Sequence, residues 1–270
     1  MSAPSATTGT VTSQDGTTIT CDRYGGGPAL VLVGGATSVR AYAAGLATTL
    51  ASTFTVYAYD RRGRGDSGDT LPYAVEREIE DLAAVIDAAG GSACVLGHSS
   101  GAVLALRAAA AGVPITKLAV YEPPFIVDDS RPPAPHNSVA HLEELVAQGR
   151  RGDAYAFFMT EVVGVPTEVV DGMRPTPIWQ AMEAVAHTLG YDGRIMGDTM
   201  SGKPLPAEPW NAITVPTLVL DGGASPEFMH KGADSLASHM PNAERKTLPG
   251  QDHGPADDVL APVITAFFTT

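Results

Sequence analysis

The chain has 270 residues, a formal net charge of −13 at pH 7 and two cysteines. Binding a polyanion needs clustered Lys and Arg, so this balance speaks against nucleic acid or an anionic membrane as a partner. Two cysteines are too few for a disulfide-stapled secreted scaffold, and the length suits one α/β domain with a large core and room for an insertion.

The first eight residues carry neither a basic region nor an apolar one, and no later run reaches the ~18 apolar residues of a membrane span, so a soluble cytoplasmic protein is expected. Segments 9–13 and 17–24 flank Gln14-Asp15-Gly16 and read as an opening hairpin, because Asp-Gly between alternating segments is a strong turn signal. Short β runs follow at 29–33, 54–59, 93–96, 117–121, 217–220 and 244–248, with Ala-rich helical stretches near 39–51, 75–89 and 102–111. Cys21 and Cys94 each fall inside an apparent strand, and Cys94 is expected to be a small core residue. The alternation predicts an α/β fold: a mostly parallel sheet flanked by helices on both faces. Between 128 and 213 it breaks; three or four amphipathic helices punctuated by prolines predict a helical cap, inserted between core segments 1–127 and 214–270.

The most informative stretch is Gly97-His98-Ser99-Ser100-Gly101, which joins an apolar strand to an Ala/Leu-rich helix. This Gly-x-Ser-x-Gly pattern is a nucleophile elbow: the turn is too tight for a side chain at either glycine, and it leaves Ser99 exposed at a helix N-terminus. Upstream, the strand at 29–33 ends in Gly34-Gly35-Ala36. In these features the chain resembles the α/β-hydrolase superfamily over nearly its whole length. The resemblance implies that fold with Ser99 as nucleophile, and an oxyanion hole made by the backbone N–H groups of Ala36 and Ser100. Two preorganised donors are needed where charge develops during acyl transfer.

A serine hydroxyl needs a base, and histidine suits that task near neutrality. Of seven histidines, His253 lies in a loop between the last predicted strand and the last helix, where the superfamily keeps its catalytic histidine. His98 is adjacent to the serine, but neighbours on a sharp turn project differently and this position is expected to pack inward. The acid is less regular. After the strand at 217–220 the superfamily usually carries an aspartate, whereas here the loop reads Asp221-Gly222-Gly223-Ala224-Ser225-Pro226, with Ser225 at that place. A hydroxyl cannot stabilise an imidazolium as a carboxylate does. Glu122, in Tyr121-Glu122-Pro123-Pro124, stands at the end of the strand after the elbow. The chain here resembles fungal zearalenone lactonases, which place a glutamate at this point and lack the later aspartate. Glu122 is the leading candidate acid, with Asp221 and Asp252 as alternatives; a strand-end glutamate also suits capping a helix or pairing with an arginine.

The stretch Asp60-Arg61-Arg62-Gly63-Arg64-Gly65-Asp66-Ser67-Gly68 has glycines at dinucleotide-loop spacing, but it does not open a helix directly and its aspartates would repel phosphate. A structural turn is expected there. No cofactor and no metal is expected. Gly35, Trp179 and Val163 are candidates for the substrate pocket, with Phe157, Phe158, Met159, Met182, Met196 and Met200 as further apolar cap residues. The expected function is a serine hydrolase cleaving an ester or lactone of a hydrophobic small molecule; the sequence leaves a homodimer open. The same triad also serves C–C hydrolases, haloperoxidases and natural-product tailoring enzymes, and a noncatalytic ligand-binding member of the fold stays open too. Epoxide hydrolases and haloalkane dehalogenases use an aspartate where this chain has Ser99.

Overall fold

The computed structural model describes residues 6–270; the first five residues of the stretch read for targeting signals lie outside the described residues. Eight strands form one sheet: β1 (Thr7–Thr12), β2 (Thr18–Tyr24), β3 (Ala29–Val33), β4 (Thr55–Tyr59), β5 (Ala93–His98), β6 (Ile115–Tyr121), β7 (Thr217–Gly222) and β8 (Ala243–Leu248). Their spatial order is β1-β2-β4-β3-β5-β6-β7-β8. The pairs β1/β2 and β2/β4 are antiparallel and the remaining pairs parallel. At the opening hairpin the Asp15 carboxylate accepts the Thr17 N–H at 2.9 Å, and Gly16 takes the left-handed conformation.

Helices cover both faces: α1 (Ala44–Leu50), α2 (Val75–Ala88), α3 (Ser100–Ala110), then α4 (Ser138–Ala147), α5 (Arg151–Phe157), α6 (Thr167–Met173), α7 (Pro177–Val185) and α8 (Leu189–Met196), and finally α9 (Glu227–His239) and α10 (Asp257–Thr269). Because side chains alternate across a strand, Val31, Val33, Val95, Val120 and Val219 pack on one side with α2, α3 and α9. Leu30, Leu32, Leu96, Ala119 and Leu218 pack on the other with α1 and α10. Such strands are apolar on both sides, which is why their sequences read as continuous hydrophobic runs.

Two sequence expectations need correction. Strands β5 and β6 run further than 93–96 and 117–121, because the parallel ladder keeps pairing out to His98↔Tyr121 and also takes in Ile115. The segment between β6 and β7 holds five α-helices and a π-helical turn over Phe158–Val163, not three or four helices. Two of its prolines mark helix starts: Pro166 immediately precedes α6, and Pro177 is the first residue of α7, where a missing N–H costs nothing. Among the described residues, no helix is long and apolar enough to cross a membrane.

Candidate active site

Three residues other than glycine have left-handed φ among the described residues: Thr37 at 59°, Ser99 at 56° and Glu122 at 48°. They follow β3, β5 and β6, three neighbouring strands whose C-terminal ends therefore converge on one strained rim. Ser99 has ψ −127° and immediately precedes α3. Its N–H donates to Tyr121 O at 2.9 Å, which ties the elbow to the end of β6. The two motif glycines are sterically required. A Cβ on Gly97 would lie 2.6 Å from Ala102 Cα, and one on Gly101 would lie 2.4 Å from the carbonyl oxygens of Val33 and Gly34. The second contact presses the start of α3 against the end of β3, so Ala36 and Ser100 line the same cavity beside Ser99. Neither the Ala36 N–H nor the Ser100 N–H donates to a protein group among the described residues.

Glu122 is fully buried, and its carboxylate is held from two sides. His253 Nδ1–H donates to Oε2 at 2.7 Å and Gly222 N–H donates to Oε1 at 2.8 Å. Burial alone would raise the Glu122 carboxyl, but the hydrogen bond from His253, the neighbouring Ser225 hydroxyl and the Gly222 N–H outweigh it and hold the group below its ordinary value. Ser225 is itself buried beside Glu122, although its hydroxyl makes no bond of regular geometry. The His253 ring is partly exposed and lines the cavity together with Ser99; no hydrogen bond joins Ser99 Oγ to it among the described residues.

The alternative acids are engaged elsewhere. Asp221 is buried and bound by Arg245, at 2.8 and 2.5 Å, and by His230. Asp252 accepts the Gly254 N–H through its carboxylate and the Tyr121 hydroxyl through its carbonyl. His98 packs inward, as the turn geometry suggests, and its Nε2–H donates to His253 O at 2.7 Å. Burial, with His253 nearby, pushes His98 down to about 4, while Glu122 acts in the opposite sense. A base with a lowered folded pKa adds stability that is complete above its unfolded value and is lost as pH falls toward its folded one. Melting temperatures of the wild type and His98→Gln should therefore converge as pH falls from 6.5 to about 4; a constant gap would exclude a neutral His98 in the native state.

The cavity has a volume of about 660 Å³. Its floor includes Ala36, Ser99, Ser100 and His253, and its apolar walls include Leu142, Phe158, Met196 and Phe228. Val163 lines it, as do Phe158, Met196 and Met200 among the apolar residues singled out from sequence. Two pocket candidates do not. Trp179 is 5 % exposed and packs edge-on against Tyr155 in a core between helices, under the Arg174 guanidinium. Phe157, Met159 and Met182 share that core. Gly35 is absent from the cavity wall and faces the elbow: a Cβ there would meet Ser99 Cβ at 2.8 Å, so glycine makes room for the serine.

Among the polar residues that line the cavity without any mark in the sequence are Arg131 and Asp192. Asp192, on α8, is buried and accepts from Arg61 at 2.9 Å, Arg64 at 2.7 Å and Ser100 Oγ at 2.7 Å. The same arginines donate to Gly34 O at 3.3 Å and Gly35 O at 2.7 Å. The arginine-rich turn is thus structural, and its guanidiniums clamp the backbone that carries Ala36 and Ser100. Arg62 is neutralised separately by Asp81 and Asp15.

Residues 30–265 match the profile described as the alpha/beta hydrolase family. The chain belongs to the alpha/beta hydrolase family. Among solved structures, this alpha/beta hydrolase is similar to one from Sphaerobacter thermophilus DSM 20745, with 58 % identity and TM-score 0.90 over 96 % of this chain and 100 % of that one. It also resembles N-formylmaleamate deformylase of Pseudomonas putida, 43 % identical over 107 residues. That match covers 38 % of this chain and 40 % of the relative, so the chain aligns with about two fifths of that protein's length. The structure of an N-formylmaleamic acid deformylase from Pseudomonas putida S16 shares the fold, with TM-score 0.67 and 23 % identity over 96 % of this chain and 99 % of that one.

Proposed function

We propose that the protein is a serine hydrolase that cleaves an ester or lactone of an apolar small molecule through an acyl-enzyme at Ser99. The observation that carries this reading is the Glu122–His253 pair at 2.7 Å, whose histidine ring lines one cavity with a serine held at positive φ. Ser99 Oγ adds to the carbonyl carbon and its proton passes to His253 Nε2; the same proton leaves with the alkoxide when the C–O bond breaks. Water then adds to the acyl carbon, gives a proton to His253, and releases the acid and the Ser99 hydroxyl. Glu122 fixes the Nδ1–H tautomer and stabilises the imidazolium. The N–H groups of Ala36 and Ser100 receive the oxyanion, each donor contributing about 3 kcal/mol. Residues 128–213 act as a cap that closes over the substrate and excludes water. The glutamate after β6 supports a lactone, given the resemblance to zearalenone lactonases.

A second reading, hydrolysis of an N-formyl amide, is favoured by the aligned segment shared with N-formylmaleamate deformylase. The test is a turnover screen of 4-nitrophenyl esters of increasing chain length, several lactones and an N-formyl amide, with fluorophosphonate labelling in parallel. Ester or lactone turnover and labelling, both lost in Ser99→Ala, are expected. Turnover of the formyl amide alone would support the second reading, and no labelling of the native protein would exclude an activated serine.

A further inference from the structure

Arg131 stands in the loop between β6 and α4, and its side chain lines the cavity that Ser99 and His253 share. The guanidinium is fixed in place. It lies over the Phe228 ring at 4.9 Å, and one N–H donates to Val162 O at 2.5 Å. A guanidinium carries five N–H donors, and among the described residues this is the one hydrogen bond Arg131 makes. Among the described residues no carboxylate pairs with it, in contrast to Arg194 on the same cavity wall, which is paired with Glu143 at 2.7 Å. Burial without a counter-ion destabilises its charge and lowers its pKa, a cost that a bound anion would relieve.

Most of the other charged groups of the cavity are either paired or positive. Lys203 lines it and has no ion-pair partner among the described residues, while Asp192 is neutralised by both Arg61 and Arg64. Asp198 is the opposing carboxylate, and His136 lies nearby at an exposed position. In a chain of net charge −13, a fixed and unpaired arginine inside the reaction cavity is a local reversal of sign. A planar fork with open donors matches a carboxylate in geometry as well as charge.

We propose that the substrate, otherwise apolar, carries one carboxylate, distinct from the bond that is cleaved, and that Arg131 anchors it while Phe228 and Val162 O hold the guanidinium in register. This rests on the serine-hydrolase reading of the same site. Arg131 is a specificity residue here and takes no part in the bond changes at Ser99.

The test compares three esters of similar size: 4-nitrophenyl pentanoate, which is neutral, 4-nitrophenyl hydrogen glutarate, charged on the acyl side, and 4-carboxyphenyl pentanoate, charged on the alcohol side. The wild type is expected to prefer one anionic ester over the neutral one by at least tenfold in kcat/KM, mainly through KM. Arg131→Ala should erase that preference, Arg131→Lys should restore part of it, and added salt should weaken it. Lack of preference in the wild type, or a preference that survives Arg131→Ala, overturns the proposal. Calorimetric titration of Ser99→Ala with glutarate and with its dimethyl ester separates the two levels of inference. If no ester is turned over, the hydrolase reading fails, yet glutarate binding that disappears in Ser99→Ala/Arg131→Ala would still support the anchor. If neutral esters are hydrolysed and glutarate does not bind, the anchor alone fails.

Discussion

Glu122→Gln is expected to lower kcat by roughly 10³–10⁴-fold with the fold intact, and the reason lies in which side of the new amide faces the histidine. In the native site the Gly222 N–H donates to Oε1 while His253 Nδ1–H donates to Oε2. A glutamine must satisfy the Gly222 N–H with its carbonyl oxygen, so its NH2 group is left against His253 Nδ1. Two donors cannot face each other, and the ring would have to carry its proton on Nε2 instead. That tautomer has no lone pair to accept the Ser99 proton. The loss should therefore fall on kcat more than on KM, with near-native circular dichroism. Ser225→Ala removes a neighbour of the carboxyl but leaves its two hydrogen bonds, and a change in kcat of less than about tenfold is expected. Asp221→Asn should perturb the Arg245 and His230 contacts and spare turnover. Comparable kcat in Glu122→Gln and the parent would remove Glu122 from the mechanism.

How far these features are legible in the sequence follows the sequence separation of the interacting groups. The elbow is a local object: Gly97 and Gly101 are required by atoms within a few residues and by the end of β3, and the flanking apolar strand and helix announce it. The proximity of Glu122 to His253 could be anticipated because both follow strands of one parallel sheet, and such ends share a rim. Trp179 lies in a core and not at the cavity, a difference the sequence does not show because an amphipathic helix signals burial without saying what it is buried against; a core between helices and a cavity wall leave the same pattern. Gly35 departs from the expected pocket wall for a related reason. A small residue signals close approach, and here the approaching group is the Ser99 side chain itself. Least legible were the arginine contacts. Arg61 and Asp192 are 131 positions apart, and a charge in sequence carries no mark of the partner it will meet. Arg131 likewise sits between aspartates and prolines with nothing to distinguish it from a surface residue.

The second large effect concerns that hidden cluster. Asp192→Asn is expected to destabilise the protein by about 3–5 kcal/mol, because it leaves a buried guanidinium without a compensating charge. The two arginines are affected unequally. Arg61 keeps Glu78, at 2.7 and 2.9 Å, whereas Asp192 is the carboxylate that Arg64 pairs with, and the Arg64 side chain is fully buried. For a chain of this size, the loss corresponds to a fall in melting temperature of about 10 °C. A decrease below about 2 °C would mean that water or relaxation reaches Arg64. Removing both charges in Arg64→Met/Asp192→Leu should recover much of the stability, since an apolar pair escapes the desolvation cost that a lone charge suffers. Activity should not return in step. Arg64 also holds Gly35 O and Asp192 also holds Ser100 Oγ, so the apolar pair restores packing while freeing the two backbone segments on which the Ala36 and Ser100 N–H groups are carried. A double variant that melts near the wild type but turns over substrate at least tenfold more slowly would separate the two roles of the cluster. Full recovery of both would assign it to stability alone.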